Sequence, residues 1–304
     1  MLLLRSSRSS RPAIQLLQLN AKRRVSSLRS TTPVPLSYDK YPAQTRATGK
    51  APLLIAHGLF GSKQNWRSLG KALSSRLGRD VYALDLRNHG DSPHTEEHTY
   101  EAMAGDVLNF ISEHQLDNPV LIGHSMGGKV VMTTALHEPS IISKLVVVDI
   151  APFSLPLSND FATYVEAMRN IDSRSLKKQS EADKILAEYE KDISVRQFLL
   201  TNLKRQSDGV YRFRIPYETL GKALGKVGRF DAAGLQYNAP TLFIAGGKSS
   251  YGKPLATRSD EVKNMFPNSD LKVVEGAGHW VHAEKPEQFL NLVTQFVGQD
   301  SAAA

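Results

Sequence analysis

A serine flanked by glycines is the first residue of this sequence whose setting could support chemistry. Ser125 lies at the centre of Gly123-His124-Ser125-Met126-Gly127, after the apolar run Val120–Ile122 and before the helix-like run Lys129–His137. A nucleophilic serine must project from a sharp turn between a strand and a helix, and glycines leave room for that turn because they have no Cβ. The N–H groups at the start of the helix favour an anion formed during acyl transfer. The pattern therefore predicts that Ser125 is a nucleophile.

A serine hydroxyl needs a base, and the chain offers nine histidines. His279 follows Gly276-Ala277-Gly278, a loop of small residues just after the β-prone run Leu271–Val274, from which an imidazole can reach over the end of a sheet. We therefore predict that His279 is the base, and His282 is the alternative. The other histidines close to strand ends are more typical of structural or pocket-lining groups: His57, His89 and His124.

The acid that orients the base has two possible positions. The usual place is the loop after the strand-like run 241–245, but that loop, Gly246–Ser250, contains no carboxylate. Asp149 directly follows three valines, and an aspartate at the end of a buried strand needs a partner because an uncompensated buried charge is costly. We therefore predict that Asp149 holds the tautomer of His279. Asp260, at the polar start of a helix-like segment, remains the alternative.

Backbone N–H groups must stabilise the oxyanion of such a reaction. One donor is expected in the loop His57–Gly61, after the first strong strand, and the other on the residue after the nucleophile. The predicted pair is therefore Leu59 and Met126, with Phe60 as the alternative for the first donor. Arg87 and His89 lie in a predicted turn, where they either pin neighbouring loops or orient a substrate. Four further residues belong either to the core or to an acyl pocket: Phe153, Phe161, Tyr164 and Met168.

Short apolar runs alternate with helix-like segments along the body of the chain. The runs are mostly continuous, as strands buried on both faces require, and this alternation predicts an α/β fold whose central sheet is mostly parallel, with helices on both faces. Residues 50–153 and 236–298 form the predicted core. Residues 154–235 are rich in charge and helix formers and far exceed a simple crossover, so they form a predicted helical insertion that caps the carboxyl ends of the strands.

The amino-terminal segment has a composition of its own. Residues 1–38 contain seven of the basic residues and no acid, and they account for seven of the eight formal net positive charges of the chain. Scattered arginines among leucines and serines are typical of a mitochondrial transit peptide, whose positive charge the inner-membrane potential draws toward the matrix. We predict a disordered, cleaved transit peptide over residues 1–30. The nearly neutral remainder argues against a nucleic-acid partner.

Composition also limits the chemistry. The chain of 304 residues has no cysteine, which excludes disulfides, a thiolate nucleophile and cysteine-ligated metal sites. No run of about 18 apolar residues occurs, so no transmembrane segment is expected. The predicted acyl chemistry needs neither a metal nor an organic cofactor.

Five segments together resemble the α/β-hydrolase superfamily: HGLFGS, DLRNHGDSPH, GHSMGGK, VVDIAP and GAGHW. The resemblance narrows to a mitochondrial group that includes abhydrolase domain-containing protein 11 and the yeast ethanol acetyltransferases, and it spans roughly residues 50–298. It implies the α/β-hydrolase fold and an acid after the earlier strand, as at Asp149. Members of this group are serine esterases or thioesterases, and some transfer acetyl groups to alcohols.

The residues and the resemblance together predict a mitochondrial serine hydrolase that cleaves small-molecule carboxylic esters or thioesters through an acyl-enzyme on Ser125. Two alternatives stay open. The first is an alcohol acyltransferase that forms ethyl acetate from acetyl-CoA and ethanol with the same residues. The second is a non-catalytic matrix protein whose insertion binds a protein partner.

Overall fold

The sheet of the molecule is defined in a computed structural model that describes residues 31–44, 50–232 and 234–299. The strands are β1 Tyr38–Tyr41, β2 Leu53–Ala56, β3 Val81–Leu84, β4 Val120–His124, β5 Lys144–Val148, β6 Leu203–Arg205, β7 Tyr211–Phe213, β8 Thr241–Gly246 and β9 Ser269–Val274. Seven of the described strands form the main sheet in the order β1-β3-β2-β4-β5-β8-β9, and β6 and β7 form a separate hairpin.

Six strands of the main sheet run parallel, and β1 pairs antiparallel with β3 at its edge. The mostly parallel sheet is therefore confirmed. Successive residues of β2 face opposite sides: Leu54 belongs to one apolar cluster, whereas Leu53 and Ile55 belong to the other. Burial on both faces explains why the strand runs are continuous rather than alternating. The sequence pattern does not indicate β1, because its residues Tyr-Asp-Lys-Tyr are half polar and partly exposed.

Helices cover both faces of the sheet. The helices are α1 Arg67–Leu77, α2 Tyr100–Glu113, α3 Met126–His137, α4 Asp160–Asp172, α5 Gln179–Tyr189, α6 Ile193–Leu200, α7 Tyr217–Val227, α8 Lys253–Thr257, α9 Ser259–Met265, α10 Val281–Glu284 and α11 Pro286–Gly298. The first apolar cluster includes Val107 and Val130 from α2 and α3, and the second includes Leu73 and Val293 from α1 and α11.

The insertion between β5 and β8 contains α4 to α7 and the β6–β7 hairpin. Three-residue strands separated by a turn at Gly209, where φ is +78°, are too short for the sequence pattern to reveal. Apolar residues of the insertion such as Leu186 and Leu199 join the same cluster that covers one face of the sheet. The insertion therefore packs on the core rather than standing apart from it.

Buried polar contacts fasten the insertion at two points. The Tyr100 hydroxyl donates to the carbonyl oxygen of Val227 at 2.6 Å, and the Lys129 ammonium donates to that of Gly228 at 2.9 Å. Asn202 donates from its side chain to the carbonyl oxygen of Phe60 at 2.7 Å. The end of α7 is thereby tied to α2 and α3, and the β6 end of the insertion is tied to the loop after β2.

The predicted transit peptide, residues 1–30, lies outside the described residues. Within the described part of the chain, no helix combines the length and apolar character needed to cross a membrane.

Candidate active site

The turn between β4 and α3 presents Ser125 in a strained backbone conformation. Its φ is +53° and its ψ is −119°, and its N–H donates to the carbonyl oxygen of Val148 at 3.0 Å. A Cβ on Gly123 would lie 2.3 Å from the carbonyl oxygen of Gly127, and a Cβ on Gly127 would lie 2.4 Å from that of Ala56. Both positions therefore require glycine, because any side chain would push the turn out of place. Strain of this kind is typical of functional sites.

A chain of hydrogen bonds links Ser125 to an imidazole and a carboxylate. His279 Nε2 lies 3.0 Å from Ser125 Oγ, and His279 Nδ1 lies 2.7 Å from Asp149 Oδ2. The carboxylate accepts the hydrogen on Nδ1, so Nε2 is left as an acceptor for the serine hydroxyl. Asp149 is completely buried, with φ at +51°. Three residues distant in sequence thus form the geometry of a nucleophile, a base and an orienting acid.

The buried carboxylate of Asp149 has further donors. Its Oδ1 accepts from the backbone N–H of Gly246 at 2.8 Å, and its Oδ2 also accepts from the hydroxyl of Ser249. A Cβ on Gly252 would lie 2.7 Å from Oδ1, so glycine allows the loop after β8 to close on the carboxylate. These donors compensate the charge that burial would otherwise penalise. No local sequence pattern singles out Ser249, apart from the absence of an acid from its loop.

A second carboxylate holds the loop that carries His279. Glu284 accepts from the N–H of Gly278 at 2.7 Å and from the N–H of Trp280 at 3.3 Å, which are the residues on either side of the histidine. The ring of His124 donates from Nε2 to the carbonyl oxygen of His279 at 2.9 Å. The histidine backbone is therefore held from several directions. Neither Glu284 nor His124 has a local sequence pattern that predicts this role.

The alternative base and acid lie elsewhere. His282 is buried, and its ring stacks on Trp66 with centroids 4.3 Å apart. Burial, aided by the nearby His279, lowers the pKa of His282 to about 3, so this imidazole stays neutral at physiological pH. Asp260 is exposed in the first turn of α9 and makes no described contact with His279. The structure therefore brings His279 and Asp149 to the serine, and not His282 or Asp260.

The two candidate donors for the first oxyanion position differ in their hydrogen bonding. The N–H of Phe60 donates to His89 Nε2 at 3.1 Å, and His89 Nδ1 donates to the carbonyl oxygen of Arg87 at 3.0 Å. Phe60 is thus occupied, whereas no acceptor for the N–H of Leu59 exists among the described residues. Met126 begins α3, and the N–H groups of a first helical turn have no acceptor within the helix. The N–H groups of Leu59 and Met126 are therefore both without an acceptor among the described residues.

Buried residues in and near the turn after β3 hold the loops around the site. Arg87 is 1% exposed and forms a two-pronged ion pair with Asp106, with N–O distances of 2.6 and 2.7 Å. His57 accepts from the N–H of Leu86 at 3.0 Å, and burial lowers its pKa to about 4. These residues therefore hold the loops around the serine. Arg87 does not line the cavity that opens beside Ser125, whereas His57 is one of its lining residues. The role of His89 as acceptor for Phe60 belongs to the same framework.

A cavity of about 490 Å³ opens beside Ser125 and His279. Of the residues considered for an acyl pocket, Phe161 and Tyr164 line this cavity, whereas Phe153 and Met168 are buried in the core. The insertion supplies further walls through Asp192, Ser194, Val195 and Phe198. Within the described part of the chain, no cluster of histidine, aspartate or glutamate side chains is arranged to hold a metal ion.

Comparisons with known proteins agree with this arrangement. A family model described as alpha/beta hydrolase fold matches residues 51–286. An sn-1-specific diacylglycerol lipase ABHD11 of Danio rerio is 40% identical, covering 89% of this chain and 85% of its own. A probable alcohol acetyltransferase of Saccharomyces cerevisiae is 39% identical, covering 87% of this chain and 84% of its own.

A solved structure is similar over nearly its whole length. The structure of a marine microorganism esterase superimposes with a TM-score of 0.80 at 33% identity, covering 86% of this chain and 99% of the esterase. The resemblance inferred from the sequence motifs is therefore confirmed, for the superfamily and for the narrower group. With a serine turn, a base and a buried acid on a mostly parallel sheet, the chain belongs to the α/β-hydrolase family.

Proposed function

We propose that this protein is a serine hydrolase that cleaves carboxylic ester or thioester bonds through an acyl-enzyme on Ser125. The observation that carries the proposal is the hydrogen-bonded chain from Ser125 through His279 to Asp149, at 3.0 and 2.7 Å, beside a cavity of about 490 Å³. A serine is too weak a nucleophile to attack unaided, and this arrangement supplies the base it needs. The similarity to a lipase and an esterase supports the same reaction.

The residues perform the reaction in two stages. His279 removes the hydroxyl proton as Ser125 Oγ attacks the acyl carbonyl carbon, and the N–H groups of Leu59 and Met126 stabilise the oxyanion. The imidazolium then returns the proton to the departing alcohol or thiol, which leaves the acyl group on the serine. A water molecule, deprotonated by His279, attacks the acyl-enzyme, and the imidazolium then returns the proton to Ser125 Oγ as the acyl–oxygen bond breaks and the carboxylic acid is released. Asp149 stabilises the imidazolium through both stages.

Alcohol acyl transfer is a second candidate function. It uses the same acyl-enzyme, but an alcohol such as ethanol attacks in place of water and an ester is formed. The similarity to a probable alcohol acetyltransferase favours this candidate. A non-catalytic role as a protein-binding scaffold receives no such support, because a scaffold has no need of the strained serine and its hydrogen-bonded partners.

Covalent labelling tests the nucleophile. We expect the purified protein to react with a fluorophosphonate probe and the variant Ser125→Ala to lose all labelling. The matched control is Ser194→Ala, because Ser194 lines the same cavity without bonding to His279. Labelling of Ser125→Ala at the level of the unchanged protein would point to another serine and remove the proposed mechanism.

Product analysis separates hydrolysis from transfer. Short p-nitrophenyl esters and acyl-CoAs are incubated with the protein, with and without ethanol. Hydrolysis predicts free acid as the main product under both conditions. Formation of ethyl ester at the expense of free acid would favour the acyltransferase instead.

We also propose a mitochondrial, matrix location. The support is the run of seven basic residues without an acid in residues 1–38. A fluorescent protein fused to residues 1–38 is expected to enter mitochondria, and a matched fusion with the seven basic residues replaced by glutamine is expected to stay in the cytosol. A cytosolic location for the unchanged fusion would contradict the proposal.

A further inference from the structure

Ser125 opens onto two cavities of very different size. The larger has a volume of about 490 Å³, and the smaller, which Ser125 also lines, has about 10 Å³. The smaller volume is about that needed to hold one water molecule. Leu59 and Phe161 line both cavities, so the two meet at the nucleophile and its oxyanion donor.

We propose that the small cavity receives the acyl group and the large cavity receives the alcohol or thiol portion. The protein then selects esters of acids with two or three carbons whose leaving group is bulky and carries no strong negative charge. This inference rests on the proposed serine-hydrolase function and adds the class of substrate to it.

The position of His279 decides which part of the ester lies where. The imidazolium that received the serine proton must deliver it to the leaving oxygen or sulfur, so the leaving group has to lie on the side of the imidazole. His279 lines the large cavity and does not line the small one. The acyl chain therefore points away from His279, past Met126 and into the small cavity.

The lining of the small cavity is mostly apolar, and part of it is fixed to the core. Ile150, Leu155, Leu157 and Val227 are among its apolar residues, and the charged residue Lys129 also lines it. The carbonyl oxygen of Val227 accepts from the Tyr100 hydroxyl at 2.6 Å, and the Lys129 ammonium donates to that of Gly228 at 2.9 Å, so this part of the wall is held by buried hydrogen bonds. An acyl chain longer than a few atoms would have to displace side chains of this lining, and packed side chains resist such displacement.

The large cavity is aromatic and its charged groups are acidic. Phe161, Tyr164, Phe198 and Trp280 contribute rings, which favour a flat or bulky apolar group. The charged side chains of the lining are Asp192 and Glu284, and no lysine or arginine of the described chain lines it. Like charges repel, so a polyanionic leaving group such as coenzyme A is disfavoured, whereas an uncharged one is accepted.

A panel of esters tests the assignment of the two cavities. We expect kcat/KM for 1-naphthyl acetate to exceed that for 1-naphthyl octanoate by about 100-fold or more, since each methylene that a pocket cannot hold costs about tenfold or more. With the acyl group kept as acetyl, phenethyl acetate is expected to exceed ethyl acetate. Equal rates for acetate and octanoate would overturn the acyl assignment.

A variant that enlarges the small cavity tests whether this cavity sets the preference for short acyl chains. Leu157→Ala shortens a partly exposed side chain of the wall and is expected to raise the octanoate-to-acetate ratio of kcat/KM by about tenfold. The matched control is Leu224→Ala, since Leu224 is a partly buried leucine of the insertion that lines neither cavity. An unchanged ratio in Leu157→Ala, with fluorophosphonate labelling intact, would overturn the proposal.

Two thioesters test the charge preference. S-acetyl-N-acetylcysteamine has the thioester of acetyl-CoA without its phosphates, and we expect its kcat/KM to exceed that of acetyl-CoA, with a gap that narrows as salt is added. A higher kcat/KM for acetyl-CoA would overturn this part of the proposal. Failure of the proposed function is distinguishable, because then no ester or thioester is cleaved in a manner that depends on Ser125.

Discussion

Ser249 donates a hydrogen bond to Oδ2 of Asp149, the same carboxylate oxygen that accepts from His279. Ser249 lies in the loop after β8, where the acid of such a site is commonly found. This loop therefore contributes a hydroxyl to the site, whereas the carboxylate comes from Asp149 at the end of β5. A hydroxyl and an imidazole sharing one oxygen fix the carboxylate in a single orientation.

The first prediction concerns the acid. Asp149→Asn is nearly isosteric, but its amide can donate toward His279 and favour the wrong tautomer, so we expect ester turnover to fall by about 10⁴-fold. Asp260→Asn is the matched control, because it removes a charge only from the first turn of α9 and affects stability by about 1 kcal/mol or less. Circular dichroism is used to check that both variants are folded. Loss of turnover in Asp260→Asn alone would contradict the assignment.

The second prediction concerns Ser249. Ser249→Ala removes one donor from the buried carboxylate, and we expect kcat to fall about tenfold with KM unchanged, since a hydrogen bond to a charged group contributes about 1.5 kcal/mol or more. Ser249→Thr keeps the hydroxyl and should restore most of the loss. If Ser249→Ala and Ser249→Thr are equally impaired, the hydroxyl is not the group that positions Asp149.

The third prediction concerns the loop of His279. Glu284→Ala leaves the N–H groups of Gly278 and Trp280 without their carboxylate, and we expect kcat to fall about tenfold because the imidazole is held less firmly. Glu287→Ala is the control, since this exposed glutamate pairs with Arg76 on the surface. Steady-state kinetics of the two variants test this prediction, and equal kcat in both would show that Glu284 does not position His279.

The fourth prediction concerns stability in acid. Burial lowers the pKa of His282 to about 3, whereas in the unfolded chain it is about 6.5, so the unfolded state binds more protons between these values. Stability from this group is therefore complete above pH 6.5 and decreases as the pH falls, by about 2 kcal/mol at pH 5.

Urea unfolding of a variant measures this loss directly. His282→Phe keeps an aromatic ring on Trp66 and removes a buried nitrogen, Nδ1, that has no hydrogen-bond partner. We expect the loss of unfolding free energy between pH 7 and pH 5 to be smaller in His282→Phe by about 2 kcal/mol. The same loss in both proteins would show that His282 does not carry this pH dependence.

Local patterns in the sequence predicted the turn that presents Ser125 and determined the buried strands. Gly123 and Gly127 are required because a Cβ at either position would collide with neighbouring backbone atoms. Both glycines lie within two residues of Ser125, so the constraint is visible in the local sequence. The strand runs are continuous because both faces of the sheet are covered, which leaves no polar face to alternate. Asp149 could be predicted for a related reason, since a charge at the end of a buried strand needs a partner.

Only the tertiary structure decided which groups hold the site in place. The choice between Leu59 and Phe60 depends on His89, which lies 29 residues away from Phe60 and accepts its N–H. The contact from Ser249 to Asp149 spans 100 residues, and no local pattern reports it. The two cavities around Ser125 likewise exist only once the insertion has packed over the strands. Contacts between residues so far apart in sequence can be read only from the folded structure, because no local periodic pattern in the sequence indicates which distant residues will contact each other.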